Sequence, residues 1–199
     1  MVATWRAAPV AILIALVATA VAIALSIGGF QIDPTFGFAG SRSTGGGPAG
    51  STGTTVRVGQ PAPLVALTDL AGAEFDLGSE LGRSPIWITF WATWCGPCRA
   101  EAADLEAISR QLADTDVIHL AISLGEAGDV VRDYIDSGGY TWHTLLDSER
   151  RAGAAYAARV FPTHVFVDRD GLVAAIRPGI LNRIQMEALV DQHLDPEAR

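Results

Sequence analysis

The sequence is poor in cysteine and in positive charge. It contains two cysteines and 14 basic residues, all of them arginine, against 22 acidic residues, which gives a formal net charge of −8. A nucleic-acid-binding protein needs a basic surface to neutralise phosphates, so this charge argues against that class. A pair of cysteines used for chemistry leaves none for a structural disulfide, and the domain must therefore be stabilised by its hydrophobic core.

Charge is also missing from a long segment near the N-terminus. Residues 7–30 carry none, and a helix of this length, at about 1.5 Å per residue, spans the ~30 Å core of a bilayer. We predict one membrane anchor over residues 1–30. A cleaved secretory signal is the alternative, although its apolar part is typically only about 7 to 15 residues long. Arg6 precedes the apolar run and the next positive residue is Arg42, which predicts a cytoplasmic N-terminus and a folded domain outside the cell membrane.

The remaining chain divides into a linker and one domain. Residues 31–55 are rich in glycine, serine and threonine and predict a flexible linker, followed by a domain over residues 56–199. Predicted strands at 64–68 and 73–77 form a hairpin, and a buried strand at 85–91, a helix at 99–112 and a strand at 117–123 form a β-α-β unit. Further helices are predicted at 129–136, 150–159 and 183–193, with a second hairpin at 163–167 and 172–176. This order predicts a three-layer α/β domain with a mixed sheet and an N-terminal hairpin extension.

The two cysteines lie where the central strand gives way to the predicted helix. Cys95 and Cys98 are separated by Gly96 and Pro97, and a helix N-terminus favours the thiolate form of a nearby cysteine. Thiol–disulfide exchange needs one thiolate that attacks and a second thiol that resolves the mixed disulfide. We expect Cys95 to be exposed and to attack, and Cys98, one turn into the helix, to be less accessible and to act second. Half of a zinc site and a pair of inert buried thiols are the alternatives, although the four histidines show no paired spacing that would complete a zinc site.

The surroundings of the cysteines resemble a known family. Residues 90–98, which read Phe-Trp-Ala-Thr-Trp-Cys-Gly-Pro-Cys, resemble the active-site segment of thioredoxins. With residues 59–63, residues 98–101 and the predicted anchor, the chain is most similar to the TlpA/ResA-like branch of membrane-tethered extracytoplasmic thioredoxin-like proteins. The resemblance covers nearly all of residues 56–195 and implies a thioredoxin fold and a redox-active disulfide between Cys95 and Cys98. We expect neither a cofactor nor a metal.

The resemblance also implies where a substrate binds. It predicts a cis peptide bond between Phe161 and Pro162 beside the cysteines, with the neighbouring backbone pairing with a bound substrate chain. The substrate-binding residues predicted in this way are Trp94, Gly96, Pro97, Phe161, Pro162 and Thr163. Trp91 is predicted to belong to the core rather than to the rim of the substrate groove.

Proton transfer is predicted to differ from that of ordinary thioredoxins. Those proteins carry a buried aspartate six residues before the first cysteine, where this chain has Thr89, and a hydroxyl cannot replace a carboxylate as a base. Glu101 matches a glutamate of the tethered branch and is predicted to exchange protons with the two sulfurs. The alternative is a solvated glutamate favoured by an early helical position. His164 is predicted to have a structural role.

These features predict an oxidoreductase that reduces disulfides of proteins outside the cytoplasm and is itself supplied by a membrane electron donor. Apocytochrome c is the substrate that the resemblance suggests, which would place the protein in cytochrome c biogenesis. A thiol peroxidase of the peroxiredoxin type is an alternative, because residues 59–67 also resemble peroxiredoxins, although Ile88 and Ala92 replace the proline and threonine of their peroxide pocket. A thioredoxin-fold module for binding or for copper delivery is the other alternative.

Overall fold

The structure is a computed structural model that describes residues 56–194. The predicted anchor over residues 1–30 and linker over residues 31–55 lie outside the described residues, as do residues 195–199 of the predicted domain. Within the described part of the chain, none of the helices has the length and apolar character needed to cross a membrane.

A mixed sheet of seven strands forms the centre of the fold. The strands are β1 (Ala66–Asp69), β2 (Glu74–Asp76), β3 (Ile86–Trp91), β4 (Ile118–Leu124), β5 (His143–Asp147), β6 (Thr163–Val167) and β7 (Val173–Pro178). Their order in the sheet is β2-β1-β5-β4-β3-β6-β7. β3 pairs in parallel with β4, and β4 with β5, whereas the remaining pairs are antiparallel. The hairpin of β1 and β2 extends the sheet at one edge, as predicted.

Helices cover both faces of this sheet. They are α1 (Gly96–Leu112), α2 (Gly128–Gly138), α3 (Arg151–Ala155) and α4 (Arg183–Leu194), with a short 3-10 helix at Leu77–Ser79. Buried residues of α1, α2 and α4 share one hydrophobic cluster, and those of α3 and the 3-10 helix share the other. The predicted three-layer α/β architecture is therefore confirmed.

The residues of the central strand β3 are well suited to a fully buried position in the sheet. All six of its residues are buried, and β-branched and aromatic side chains pack well on a pleated surface. Trp87 and Trp91 belong to the cluster beneath α1, and Ile86, Ile88 and Phe90 belong to the opposite one. Because side chains alternate along a strand, Thr89 lies on the α1 face with the two tryptophans. Each fully buried large apolar side chain contributes about 1.5–3 kcal/mol to folding.

The structure differs from the sequence prediction most clearly at β5, at the start of α1 and at α3. The strand β5 was not predicted, because its apolar part is only Leu145 and Leu146 and its pairing with β4 and β1 defines it. α1 begins at Gly96, three residues before the predicted start at position 99. The helix predicted at 150–159 is only Arg151–Ala155, and Ala157 beyond it has a positive φ of 53° that is incompatible with a continuing α-helix.

Candidate active site

The cysteines lie where β3 leads into α1. Cys95 is the N-cap residue of α1, with extended backbone angles, and Pro97 lies in the first turn, where its missing N–H is no loss. The two sulfurs form a disulfide, with the Cα atoms 5.3 Å apart. The predicted position of the cysteines at a strand-to-helix junction is confirmed.

The N-terminus of α1 directs backbone N–H groups towards Cys95. The Cys98 N–H donates to Cys95 Sγ over 3.1 Å. The first turn of α1 contains no acidic residue that would offset the positive end of the helix dipole. When the disulfide is reduced, this environment favours a thiolate on Cys95.

The two cysteines face different cavities. Cys95 lines an open cleft of about 710 Å³, here called the outer cleft, together with Trp94, Gly96 and Pro97. Cys98 lines a small cavity of about 10 Å³, here called the inner cavity, together with Glu101. The expectation that Cys95 is the more exposed residue is wrong for the disulfide form, because the bond holds both residues against the core and leaves them 4% and 5% exposed. What separates them is the space that each side chain faces.

Glu101 is a buried residue of α1. It is 2% exposed, so the alternative of a solvated glutamate is wrong. Its Oε2 accepts a hydrogen bond from the Leu181 N–H over 2.9 Å, which holds the carboxyl group in place. Its Oε1 lies 3.4 Å from His164 Nε2, an ion-pair distance without hydrogen-bond geometry. Glu101 therefore lines the same small cavity as Cys98, with its carboxyl group held in place.

Two histidines lie on either side of Thr89 in the core. Thr89 Oγ1 is 3.2 Å from His119 Nε2 and 3.3 Å from His164 Nδ1. Burial, assisted by the nearby His164 and His143, lowers the pKa of His119 to about 3. The sequence predicts a structural role for His164 and gives no sign of its contact with Glu101. The two residues are far apart in the sequence, and their contact depends on how α1 packs over β6. The position of the thioredoxin aspartate is thus occupied by a hydroxyl between two imidazoles.

Four of the six predicted substrate-binding residues, Trp94, Gly96, Pro97 and Phe161, line the outer cleft, whereas Pro162 and Thr163 do not. Trp94 is 62% exposed, and its ring centroid lies 5.6 Å from that of Phe161, which also lines the cleft. The Phe161–Pro162 peptide bond is cis, as expected. Pro162 and Thr163 are both buried. Trp91 is 4% exposed and belongs to the core, as predicted.

Glu126 is a residue of the site that the sequence did not indicate. Its carboxylate accepts hydrogen bonds from the Thr93 N–H over 2.9 Å and from the Thr93 hydroxyl over 2.5 Å. Ser123 at the end of β4 donates to the same carboxylate over 2.8 Å. Glu126 therefore fixes the turn that presents Trp94 and Cys95, and nothing in its sequence neighbourhood marks it.

Metal ligands are not clustered at the site. Across residues 56–194, the structure contains no group of three or more histidine, cysteine, aspartate or glutamate side chains that could hold a metal ion.

The fold and the site define the class of protein. An α/β domain of the thioredoxin type, with a Cys-Gly-Pro-Cys disulfide at the start of its first long helix, is a thiol–disulfide oxidoreductase.

Comparison with known proteins agrees with this class. Residues 58–176 match the AhpC/TSA family. The chain is 31% identical over 134 residues to the thiol-disulfide oxidoreductase ResA of Geobacillus kaustophilus, covering 67% of this chain and 76% of that protein. It is 30% identical over 138 residues to the thioredoxin-like protein YneN of Bacillus subtilis, covering 68% and 80% of the two chains. A thiol:disulfide interchange protein from Chlorobium tepidum has the same fold, with a TM-score of 0.61, 22% identity and coverage of 71% of this chain and 100% of that one.

The chain belongs to the AhpC/TSA family and, within the thioredoxin superfamily, to its TlpA/ResA-like members. It is an oxidoreductase that acts on thiols and disulfides.

Proposed function

We propose that this protein is a membrane-tethered oxidoreductase that reduces protein disulfides outside the cytoplasm, with Cys95 attacking and Cys98 resolving. The observation that carries the cysteine roles is the different surroundings of the two side chains. Cys95 lines the outer cleft, which a substrate can enter, and its Sγ accepts a hydrogen bond from the Cys98 N–H. Cys98 lines the inner cavity beside Glu101.

The reaction follows from these positions in two steps. The Cys95 thiolate attacks a substrate disulfide, forms a mixed disulfide and releases the first substrate thiolate. Cys98 then loses its proton to the Glu101 carboxylate, attacks Cys95 Sγ and releases the second substrate thiolate. Two electrons have passed to the substrate, and the protein holds the Cys95–Cys98 disulfide. A membrane electron donor returns it to the dithiol.

Reduction is the proposed direction because Gly96 and Pro97 between the cysteines resemble the reducing thioredoxins. Apocytochrome c is the proposed substrate, since its cysteine pair must be reduced before haem attachment and the TlpA/ResA-like resemblance suggests this role. The predicted anchor over residues 1–30 supports the location at the cell membrane, with the catalytic domain outside the cytoplasm.

The activity is tested with the dithiol form of the protein and a disulfide-containing substrate such as insulin. We expect the wild-type protein to reduce insulin and the Cys95→Ser variant to be inactive. A reduction potential more negative than about −220 mV, measured by equilibration with a thiol buffer, is expected for a reductant. A potential near that of the strong oxidant DsbA, about −120 mV, would reverse the proposed direction.

The location is tested separately by protease treatment of intact spheroplasts. We expect the folded domain of the full chain to be accessible from outside and to remain with the membrane fraction, whereas a chain that begins at residue 56 is released from the membrane. Protection of the domain in intact spheroplasts would contradict the proposed orientation.

A further inference from the structure

Five polar side chains form a continuous line through the core beneath α1. The line begins at Glu101, whose Oε1 lies 3.4 Å from His164 Nε2. It continues from His164 Nδ1 to Thr89 Oγ1 over 3.3 Å and on to His119 Nε2 over 3.2 Å. It ends with His119 Nδ1, 3.2 Å from the hydroxyl of Ser109. The first four residues are buried and Ser109 is half-buried, so the line connects the inner cavity with the edge of the core.

Few arrangements of hydrogen atoms are possible along this line. Burial lowers the pKa of His119 to about 3, so its ring is neutral and has one donor and one acceptor nitrogen. The Thr89 hydroxyl has one hydrogen to donate. If His164 Nε2–H faces an ionised Glu101, each link must point towards Glu101: Ser109 donates to His119, His119 to Thr89, and Thr89 to His164.

One added proton reverses every link. When Glu101 or His164 takes up a proton, His164 Nδ1–H donates to Thr89, Thr89 donates to His119, and His119 Nδ1–H donates to Ser109. Charge at the inner cavity and hydrogen position at Ser109 are therefore connected along the α1 face of the sheet, by the 3.4 Å approach of Glu101 to His164 and by hydrogen bonds from His164 to Ser109. No such connection would exist if Thr89 lacked its hydroxyl.

We propose that Glu101 and His164 together hold the proton that leaves Cys98, and that Thr89, His119 and Ser109 pass it between this pair and the edge of the core. His164 and Thr89 are positioning residues in this scheme, since they act through Glu101. In the step concerned, the Cys98 S–H bond breaks, its proton goes to Glu101, and the new thiolate attacks Cys95 Sγ while the substrate sulfur leaves with the electron pair. The inference rests on the proposed function and adds the route of the proton.

Several other titratable or charged groups lie near the pair. Arg177 of β7 is the strand partner of His164 and can only donate hydrogen bonds, and the His193 ring of α4 lies 6.0 Å from that of Phe166 between centroids. Tyr134 of α2 also lines the inner cavity, but burial and its hydrogen bond with Tyr140 raise its pKa to about 12, so it keeps its proton. His143 influences His119 from the exposed start of β5. Trp91 and Trp142 line the inner cavity with N–H groups that only donate.

The test uses a chromogenic aromatic disulfide and the full-length protein in its dithiol form. One coloured thiolate is released when Cys95 attacks, and a second when Cys98 resolves, so the two steps are read separately by stopped flow. Thr89→Val removes the hydroxyl at nearly constant volume, and Thr89→Ser is the matched control that keeps it. For Thr89→Val we expect the second release to be about tenfold slower at neutral pH and its pH midpoint to rise by about one unit. The first release should stay within about twofold of wild type, and Thr89→Ser should behave as wild type in both.

Three results would overturn the proton route. They are a wild-type second release in Thr89→Val, an equally slow second release in Thr89→Ser, and a slowing of both releases alike. If Thr89→Val does not fold, His119→Phe serves as the second variant, because it keeps a ring against Trp87 but removes the hydrogen bond between Thr89 and His119. We expect it to slow the second release and to leave the first release unchanged. If the wild-type protein releases only one thiolate, the exchange mechanism itself fails, and the route fails with it.

A separate observation concerns the charge of the outer cleft. Arg150 and Arg159 both line it, and none of its lining residues is acidic, although the chain carries a net charge of −8. Neither guanidinium forms an ion pair within residues 56–194. A Cβ atom built on Gly125 would lie 2.4 Å from Arg150 Nε, so this side chain rests on the Gly125 backbone and is held at the cleft.

The geometry points to a docking site for an extended substrate segment with acidic side chains beside its disulfide. The exposed ring of Trp94 and the neighbouring Phe161 provide apolar contact next to Cys95, and the two arginines attract the acidic groups. This inference names the substrate class for the proposed function.

The test compares two disulfide-bonded peptides that differ only in aspartate or lysine next to the cysteines. We expect the wild-type protein to reduce the aspartate peptide with a kcat/KM about tenfold higher at low salt, and Arg150→Glu with Arg159→Glu to abolish or reverse the preference. Arg151→Glu is the matched control, because Arg151 pairs with Glu149 and does not line the cleft. No preference in the wild type, or an equal loss in the control, would overturn this substrate class, whereas failure to reduce either peptide would overturn the proposed function.

Discussion

His119 should make the folded protein sensitive to acid. Its ring is buried in the core, 4.4 Å from the Trp87 ring between centroids, and burial lowers its pKa from 6.5 to about 3. In the unfolded chain the same imidazole returns to its ordinary pKa near 6.5. Between about pH 3 and pH 6.5, His119 is therefore protonated in the unfolded state and neutral in the folded state.

The sign and size of the effect follow from this difference. Because the unfolded state binds more protons, the free energy of unfolding falls as the pH falls below about 6.5, and the loss is complete near pH 3. One pKa unit corresponds to about 1.4 kcal/mol, so the loss between pH 7 and pH 5 is about 2 kcal/mol. The full difference between the two pKa values limits the loss of unfolding free energy to about 5 kcal/mol near pH 3.

Urea unfolding of the oxidised protein at pH 7 and pH 5 measures this loss. We expect His119→Phe, which keeps a ring beside Trp87, to lose about 2 kcal/mol less than the wild type on going from pH 7 to pH 5. His143→Gln is the matched control, since His143 is exposed at the start of β5, and it should lose as much as the wild type. Parallel pH dependences in His119→Phe and wild type would refute the assignment of acid sensitivity to His119.

Further predictions concern single substitutions. Glu101→Gln should shift the pH dependence of thiol alkylation upwards and slow exchange, because the amide cannot accept the Cys98 proton; an unchanged alkylation profile would contradict this role. Gly139→Ala should cost about 1 kcal/mol of stability in urea unfolding, because Gly139 ends α2 with φ 65° and an added Cβ meets nothing within 4 Å. Asp147→Asn should cost about 2 kcal/mol in the same assay, because the buried carboxylate accepts from the Arg151 and Gly153 N–H groups and an amide can satisfy only one of them. A cost under about 0.5 kcal/mol would show that these two N–H groups find other partners.

The elements that the sequence predicted well are those with a strong local pattern. β3 is an uninterrupted run of apolar, β-branched and aromatic residues, and β6 was predicted with the observed bounds, 163–167. The strand-to-helix junction at the cysteines was predictable because an apolar run is followed by Pro97 and good helix formers. β5 was missed, because a strand with polar ends is defined by its neighbours in the sheet rather than by its own residues.

The candidate site was predictable at the cysteines and less so beneath them. The motif alone identified Cys95 and Cys98, since their spacing and flanking residues carry the chemistry. The burial of Glu101 and its approach to His164 required the register of α1 over the sheet, which no local pattern contains. The same holds for Glu126, which reaches Thr93 from the loop after β4.

The central claim is that Cys95 attacks the substrate and Cys98 resolves the mixed disulfide. It is tested most directly by incubating Cys98→Ser and Cys95→Ser variants, in their reduced forms, with a disulfide-containing protein and measuring the mixed disulfide by non-reducing electrophoresis and mass spectrometry. We predict that Cys98→Ser accumulates a mixed disulfide through Cys95 and that Cys95→Ser accumulates little or none. Equal trapping by both variants, or trapping through Cys98 alone, would contradict the claim.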